Sequence, residues 1–192
     1  MNTSHGPVYT TDDYAPAITA EKYAPAITAE KYDRATTTGD YAHATTAGDF
    51  AHATTAGKYA HATTAGGFAH AATTGDYAHA TAASDFAHAT TTGAYAHAAT
   101  AGRLTYATTT GIFAHAATTG RRSNASVSGE NAIAVAVGAN SYARAANGGF
   151  IVLAQYDEDT VVAVKTAQVG RDGIKPDTWY ALSPTGEFVE AE

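Results

Sequence analysis

The sequence contains no cysteine, which excludes a disulfide framework and a thiolate metal site. It has one methionine, one tryptophan and five prolines in 192 residues. Leu, Ile, Val and Phe are scarce, and most of the 45% apolar content is Ala. Close-packed globular cores are filled by large side chains, so this composition points to a thin, repetitive core of small residues. No run approaches the roughly 18 apolar residues of a transmembrane helix. The opening MNTSHGPVYTT has neither the charged nor the apolar region of a secretory signal. The expectation is a protein of the cell interior (cytoplasmic) or of a virion, not secreted by a signal peptide, with no membrane partner.

Charge is sparse as well. Only 15% of residues are charged, the net charge is −7, and no basic stripe exists. That argues against direct binding to nucleic acid through its phosphates. The nine histidines would carry the net charge to +2 if all were protonated, so acid changes the surface strongly. Low charge together with aromatics at fixed positions argues against a disordered chain.

What is present is a repeat. Residues 39–101 read GDYAHATTA, GDFAHATTA, GKYAHATTA, GGFAHAATT, GDYAHATAA, SDFAHATTT and GAYAHAATA. Self-similarity at a fixed period announces a stack of equivalent units. The frame begins at Asp12 (DDYAPAITA) and runs to Gln155 (NGGFIVLAQ), sixteen units of nine without an insertion. Each unit therefore occupies a fixed length of a regular solenoid. Position 1 is usually Gly, read as a corner with positive φ. Position 2 is variable and often charged. Positions 4, 6 and 8 are Ala, Ala and Thr, Ala or Val, and alternate onto one face of a strand. Small side chains mark the face with no room, so the core is expected at Ala44, Ala53, Ala62, Ala71, Ala80, Ala89 and Ala98. Position 5 holds Pro16, Arg34, His43, Tyr106 and Asn124 in different units, a range that no narrow interior accommodates, so positions 3, 5 and 7 face outward. Period nine is not a multiple of 3.6 and the units are rich in Thr and Gly, which disfavours helices. A strand of five to six residues plus a corner fits nine residues.

Two features make the coil a pair of strands. At position 3, Tyr41, Tyr59, Tyr77 and Tyr95 alternate with Phe50, Phe68, Phe86 and Leu104, so the true period is 18. Pro16 and Pro25 sit at position 5 of the first two units, read as the terminal strands of two sheets, because proline removes a ladder donor. The expected fold is all-β: a parallel β-solenoid (β-roll) with two strands per 18-residue coil and about eight coils. At one strand spacing per coil it is roughly 38 Å long. Residues 1–11 form an N-terminal arm or cap, 12–155 the solenoid, and 156–192 a C-terminal antiparallel β-hairpin cap carrying Trp179. Ile133, Val135, Val137, Phe150, Ile151, Val152 and Leu153 are read as a core that widens towards that end.

The Gly-Asp opening, Ala at position 6 and Thr at position 7 resemble the units of nonapeptide-repeat β-roll domains of bacterial and phage proteins, which look like GDRSAATNT. The segments GFIVLAQYDED (149–159) and IKPDTWYAL (174–182) look like the closing part of the same group. The resemblance implies a parallel β-roll with a C-terminal cap and a phage or prophage origin, and it implies no activity. The chain departs from the pattern by placing aromatics and His at positions 3 and 5, where a binding function would vary. A more distant similarity is to the β-roll heads of trimeric autotransporter adhesins.

Two surfaces emerge as candidates. One carries Phe50, Phe68, Phe86 and Leu104 with His52, His70 and His88, and is expected to be covered in a two-fold homodimer or by a protein partner, since contiguous exposed apolar area marks an interface. The other carries Tyr41, Tyr59, Tyr77, Tyr95 and Phe113 with His43, His61, His79, His97 and His115. Stacked imidazoles resist joint protonation, so their pKa values are expected to be depressed. Parallel rings do not converge on one ion, so no metal is assigned, and no cofactor. Acidic residues gather at the ends (Asp12, Asp13, Glu21, Glu30, then Asp157, Glu158, Asp159) with no His, Ser or Lys placed for acid–base work. The chain reads as a non-enzymatic repeat protein that binds a protein partner through aromatic, His and Thr faces. An inhibitor of a host defence complex of the anti-CRISPR type, a spacer of a virion fibre and an ice-binding solenoid are the other readings.

Overall fold

In the computed structural model, which describes residues 7–12, 14 and 16–191, every regular element is a strand. In chain order these are β1 (Val8–Thr10), β2 (Pro16–Thr19), β3 (Ala26–Thr28), β4 (Arg34–Thr37), β5 (His43–Thr46), β6 (His52–Thr55), β7 (His61–Thr64), β8 (His70–Thr73), β9 (His79–Ala82) and β10 (His88–Thr91). There follow β11 (His97–Thr100), β12 (Tyr106–Thr109), β13 (His115–Thr118), β14 (Asn124–Val127), β15 (Ile133–Ala136), β16 (Tyr142–Ala145), β17 (Phe150–Asp157), β18 (Thr160–Gln168), β19 (Tyr180–Leu182) and β20 (Phe188–Glu190). Odd strands β1 to β17 stack in parallel in one sheet, which β18 closes; even strands β2 to β16 form the other, closed by β19 and β20. The fold is the parallel β-solenoid of about eight 18-residue coils, with antiparallel strands at the C-terminal end.

Register follows the repeat. His43 pairs with His61 and Ala44 with Ala62 across β5 and β7, and the same 18-residue offset holds in β6 and β8, His52 with His70. The inner faces are Ala at positions 4 and 6 and mostly Thr at position 8. Ala44, Ala53, Ala62, Ala71, Ala80, Ala89 and Ala98 are at most 1% exposed. Two opposed sheets can approach this closely only because neither presents more than a methyl group at the centre. The core is thin because every coil repeats the same small section.

Several expectations are corrected. The repeat strands β2 and β4 to β16 have four residues, positions 5 to 8, and β3 has three, so position 3 falls in the connecting turn. The repeat glycines do not have positive φ. The left-handed residue is position 3, from Tyr14 (φ 62) through Phe68 (φ 56) to Asn140 (φ 55). Gly at position 1 is required for a different reason: a Cβ on Gly57 would collide with the carbonyl oxygen of Gly39 one coil below, and the repeat glycines from Gly39 to Gly138 all meet this contact. Of the seven bulky residues near residues 133–153, only Ile151 and Leu153 enter the core, at 0% and 1% exposure, whereas Phe150 is 41% exposed. Ile133, Val135 and Val152 are half-buried on the outer surface. The core therefore does not widen along its length; it is closed by a few large side chains at the last coil.

The N-terminal expectation shifts as well. Residues 8–10 are a strand that pairs with β3, Val8 against Ala26, so Pro25 lies one strand in from the end of its sheet. Residues 1–6 of the expected arm, and Asp13, lie outside the described residues. At the other end the cap is a hairpin. β18 runs antiparallel to β17 with an irregularity between Gln155 and Tyr156, and β19 pairs with β16 and β20. The aromatic that seals the core is Tyr180, 3% exposed. Trp179 is half-buried beside it, under the Arg144 guanidinium at 4.7 Å from the ring centroid.

Candidate binding faces

The outer surface of each sheet is ruled by columns that run along the solenoid axis. At position 5 of the odd sheet, His43, His61, His79, His97 and His115 stack ring on ring at 4.8–5.0 Å. On the even sheet His52, His70, His88 and Tyr106 stack at 4.7–4.9 Å. The spacing is the strand spacing of a parallel sheet, so the ladder is a direct consequence of register. Burial between neighbours first, and the adjacent imidazoles second, hold His61, His79, His88 and His97 below the ordinary histidine value. His52 is lowered by the same causes, with Arg34 beside it adding to them. The expected depression is thus present at these five rungs, which are held towards the neutral form.

The aromatic columns lie along the corners, not on the flat sheet surfaces where they were expected. Tyr41, Tyr59, Tyr77, Tyr95 and Phe113 follow one corner at 4.9–5.2 Å. Phe50, Phe68 and Phe86 follow the other at 4.6–4.9 Å, ending at Leu104. Each ring is about two-fifths exposed, Phe68 most among the phenylalanines at 46%. Because the faces of the rings cover one another, the columns present ring edges to solvent. The two ridges and the two His ladders together make both broad sides grooved rather than smooth.

Position 2 explains itself once the coils are stacked. Asp40 Oδ1 accepts the backbone N–H of Lys58 at 2.8 Å, Asp49 that of Gly67 at 2.8 Å, and Asp76 that of Ala94 at 3.0 Å. Asp85 accepts from the Arg103 backbone and from its guanidinium at 2.7–2.9 Å. The guanidinium hydrogen bonds, then the backbone one, hold the Asp85 carboxyl below its ordinary value. These carboxylates tie coil to coil, which is a structural role.

The repeat is broken in the coils from Gly102 onward, and sequence reasoning passed over what lies there. Arg103, Arg121 and Arg122 replace the acidic and aromatic residues of positions 2 and 3. With Leu104 they line a cavity of about 210 Å³. Beside it, Leu104, Tyr106, Arg122, Asn124, Asn140 and Tyr142 line a groove of about 450 Å³. The signal was in the sequence as departure from consensus in the units GRLTYATTT and GRRSNASVS. The cap has further concavities, one of about 640 Å³ whose lining includes Phe150, Ile174 and Tyr180. Among the described residues no three His, Asp or Glu side chains gather around a common point, and no helix is long and apolar enough to cross a membrane. Comparison with protein-family models, with curated proteins and with solved structures finds no match for this chain.

Proposed function

We propose that the chain is a non-enzymatic, phage- or prophage-encoded repeat protein that holds a protein partner against one of its ruled sides. The observation that carries this reading is the exposed Phe50, Phe68, Phe86 ridge, running in register beside His52, His70 and His88. A rigid apolar ridge with the same chemistry at every coil suits a partner with an extended complementary surface, because each coil adds a contact without ordering any new backbone. Aromatic side chains bring large contact area at low conformational cost. Persistent exposed apolar strips on a soluble protein mark an interface.

A second copy of the chain is the simplest such partner, since a two-fold axis would pair the Phe ridge with itself. Light scattering tests this: a dimer that Phe68→Asp splits into monomers is the expected result. A separate partner is tested by co-purification with the wild-type chain, with Phe68→Asp and with Tyr77→Asp. Loss of the partner in one of the two variants supports the reading. A partner retained by both would overturn docking on the ruled sides.

A further inference from the structure

The even-sheet ladder lacks one rung. His52, His70, His88 and Tyr106 occupy position 5 of successive coils and stack at 4.7–4.9 Å. The next two residues in register are Asn124 and then Tyr142. Asn reaches less far from the strand than the rings on either side. Tyr106 and Tyr142 are two strand spacings apart, roughly 9.5 Å, and the level between them is vacant beyond the Asn124 amide. This is where the 450 Å³ groove lies, a volume within the range of small-molecule sites.

The polar groups around that level have a consistent chemistry. Asn124 lines the groove, and its Oδ1 is buried with no hydrogen-bond partner. Arg122 lines both this groove and the adjoining 210 Å³ cavity. Arg103 and Arg121 complete that cavity. Asp85 holds Arg103 at 2.7 Å and Asp159 reaches Arg121 at 3.5 Å, whereas Arg122 makes no ion pair among the described residues. A stacking level with an amide beneath it, next to a guanidinium cluster on an otherwise acidic chain, is complementary to a planar ring joined to an anionic group.

We propose that this groove binds a nucleoside monophosphate. The base takes the vacant rung between Tyr106 and Tyr142, at the spacing that the native rings keep. Asn124 meets its polar edge. The phosphate sits on Arg122 with Arg121 and Arg103 behind it, where planar guanidinium groups match phosphate oxygens. The site lies in the coils where the consensus is broken and adjoins the end of the Phe ridge at Leu104, which lines it.

Calorimetric titration of the full chain with AMP, adenosine and inorganic phosphate tests the assignment. AMP binding more tightly than either part alone is the expected result. Asn124→His fills the rung with the residue that the repeat itself uses, so the fold and its melting temperature are retained. It should weaken AMP by about tenfold or more, the effect of losing one stacked base. Arg122→Gln should reduce the advantage of AMP over adenosine. Phosphate binding as tightly as AMP, unchanged AMP affinity in Asn124→His, or no AMP binding at millimolar concentration would each overturn the proposal.

Discussion

Gly57 and Tyr59 meet opposite backbone demands within one turn. At position 1 the chain passes so close to the coil below that a Cβ added at the glycine would meet that coil's carbonyl oxygen. Two residues later the chain turns left-handed, and the residue there is an aromatic with φ near 56. That conformation costs about 1–2 kcal/mol for a residue with a Cβ, and stacking on the neighbours above and below returns about 0.5–1.5 kcal/mol per contact. Stacking along the aromatic column therefore offsets part of the cost of the left-handed residue in most coils, while Leu104, Arg122, Asn131 and Asn140 take the same conformation without it. Gly75→Ala is expected to lower stability by about 1–3 kcal/mol, the ordinary cost of forcing atoms into a packed site, read from the denaturant midpoint. Ser84 shows how the site can adapt, since its hydroxyl turns to the Ala65 carbonyl.

Within a strand the inner Thr is the informative element. The hydroxyls of Thr28, Thr46, Thr64 and Thr118 in the odd sheet, and of Thr37, Thr55, Thr73, Thr91 and Thr109 in the even sheet, are buried with no partner. Replacing such a group by an apolar one of the same shape is neutral or stabilising. Thr64→Val should raise the denaturant midpoint by up to about 1 kcal/mol of stability, and a large loss would show that the hydroxyl is satisfied after all. The His ladders act in the other direction. Their folded-state pKa values lie below the unfolded value of about 6.5, so the folded protein binds fewer protons. Their contribution is complete above that pH and is lost as pH falls through the lowered folded values. The melting temperature should be lower at pH 5 than at pH 7.5, and His79→Thr should flatten the difference. Equal melting at both pH values would contradict a coupled ladder.

At the scale of the molecule, stability is a sum over coils and their interfaces. Deleting residues 57–74 removes one whole coil and leaves every column in register. The shortened protein should fold cooperatively, keep its β-sheet circular dichroism and be shorter by about 4.8 Å in solution scattering. Ending the chain after Gln155 has a different effect. It removes Val169, Ile174 and Tyr180, which are buried over the last coil. The exposed end of the stack should then drive association, seen as a rise in mass by light scattering.

The spacing GDYAHATTA, repeated without an insertion, was enough to determine the solenoid, the 18-residue coil, the Ala core and the two His ladders, because in a parallel in-register stack every contact along the axis is set by the period alone. What the period does not contain is the path of the chain between strands. Only the stacked backbone decided that the repeat glycines give clearance and that position 3, aromatic in most coils, takes the left-handed corner. Ile133 and Val135 stand at the outward positions 5 and 7, whereas Phe150 turns outward from position 4 because the last strand pairs one residue out of the frame, Ile133 against Phe150. The missing rung at Asn124 also lies outside the period. A substitution becomes a groove only when the residues 18 before and 18 after it stand on either side, with Arg122 at the corner next to them.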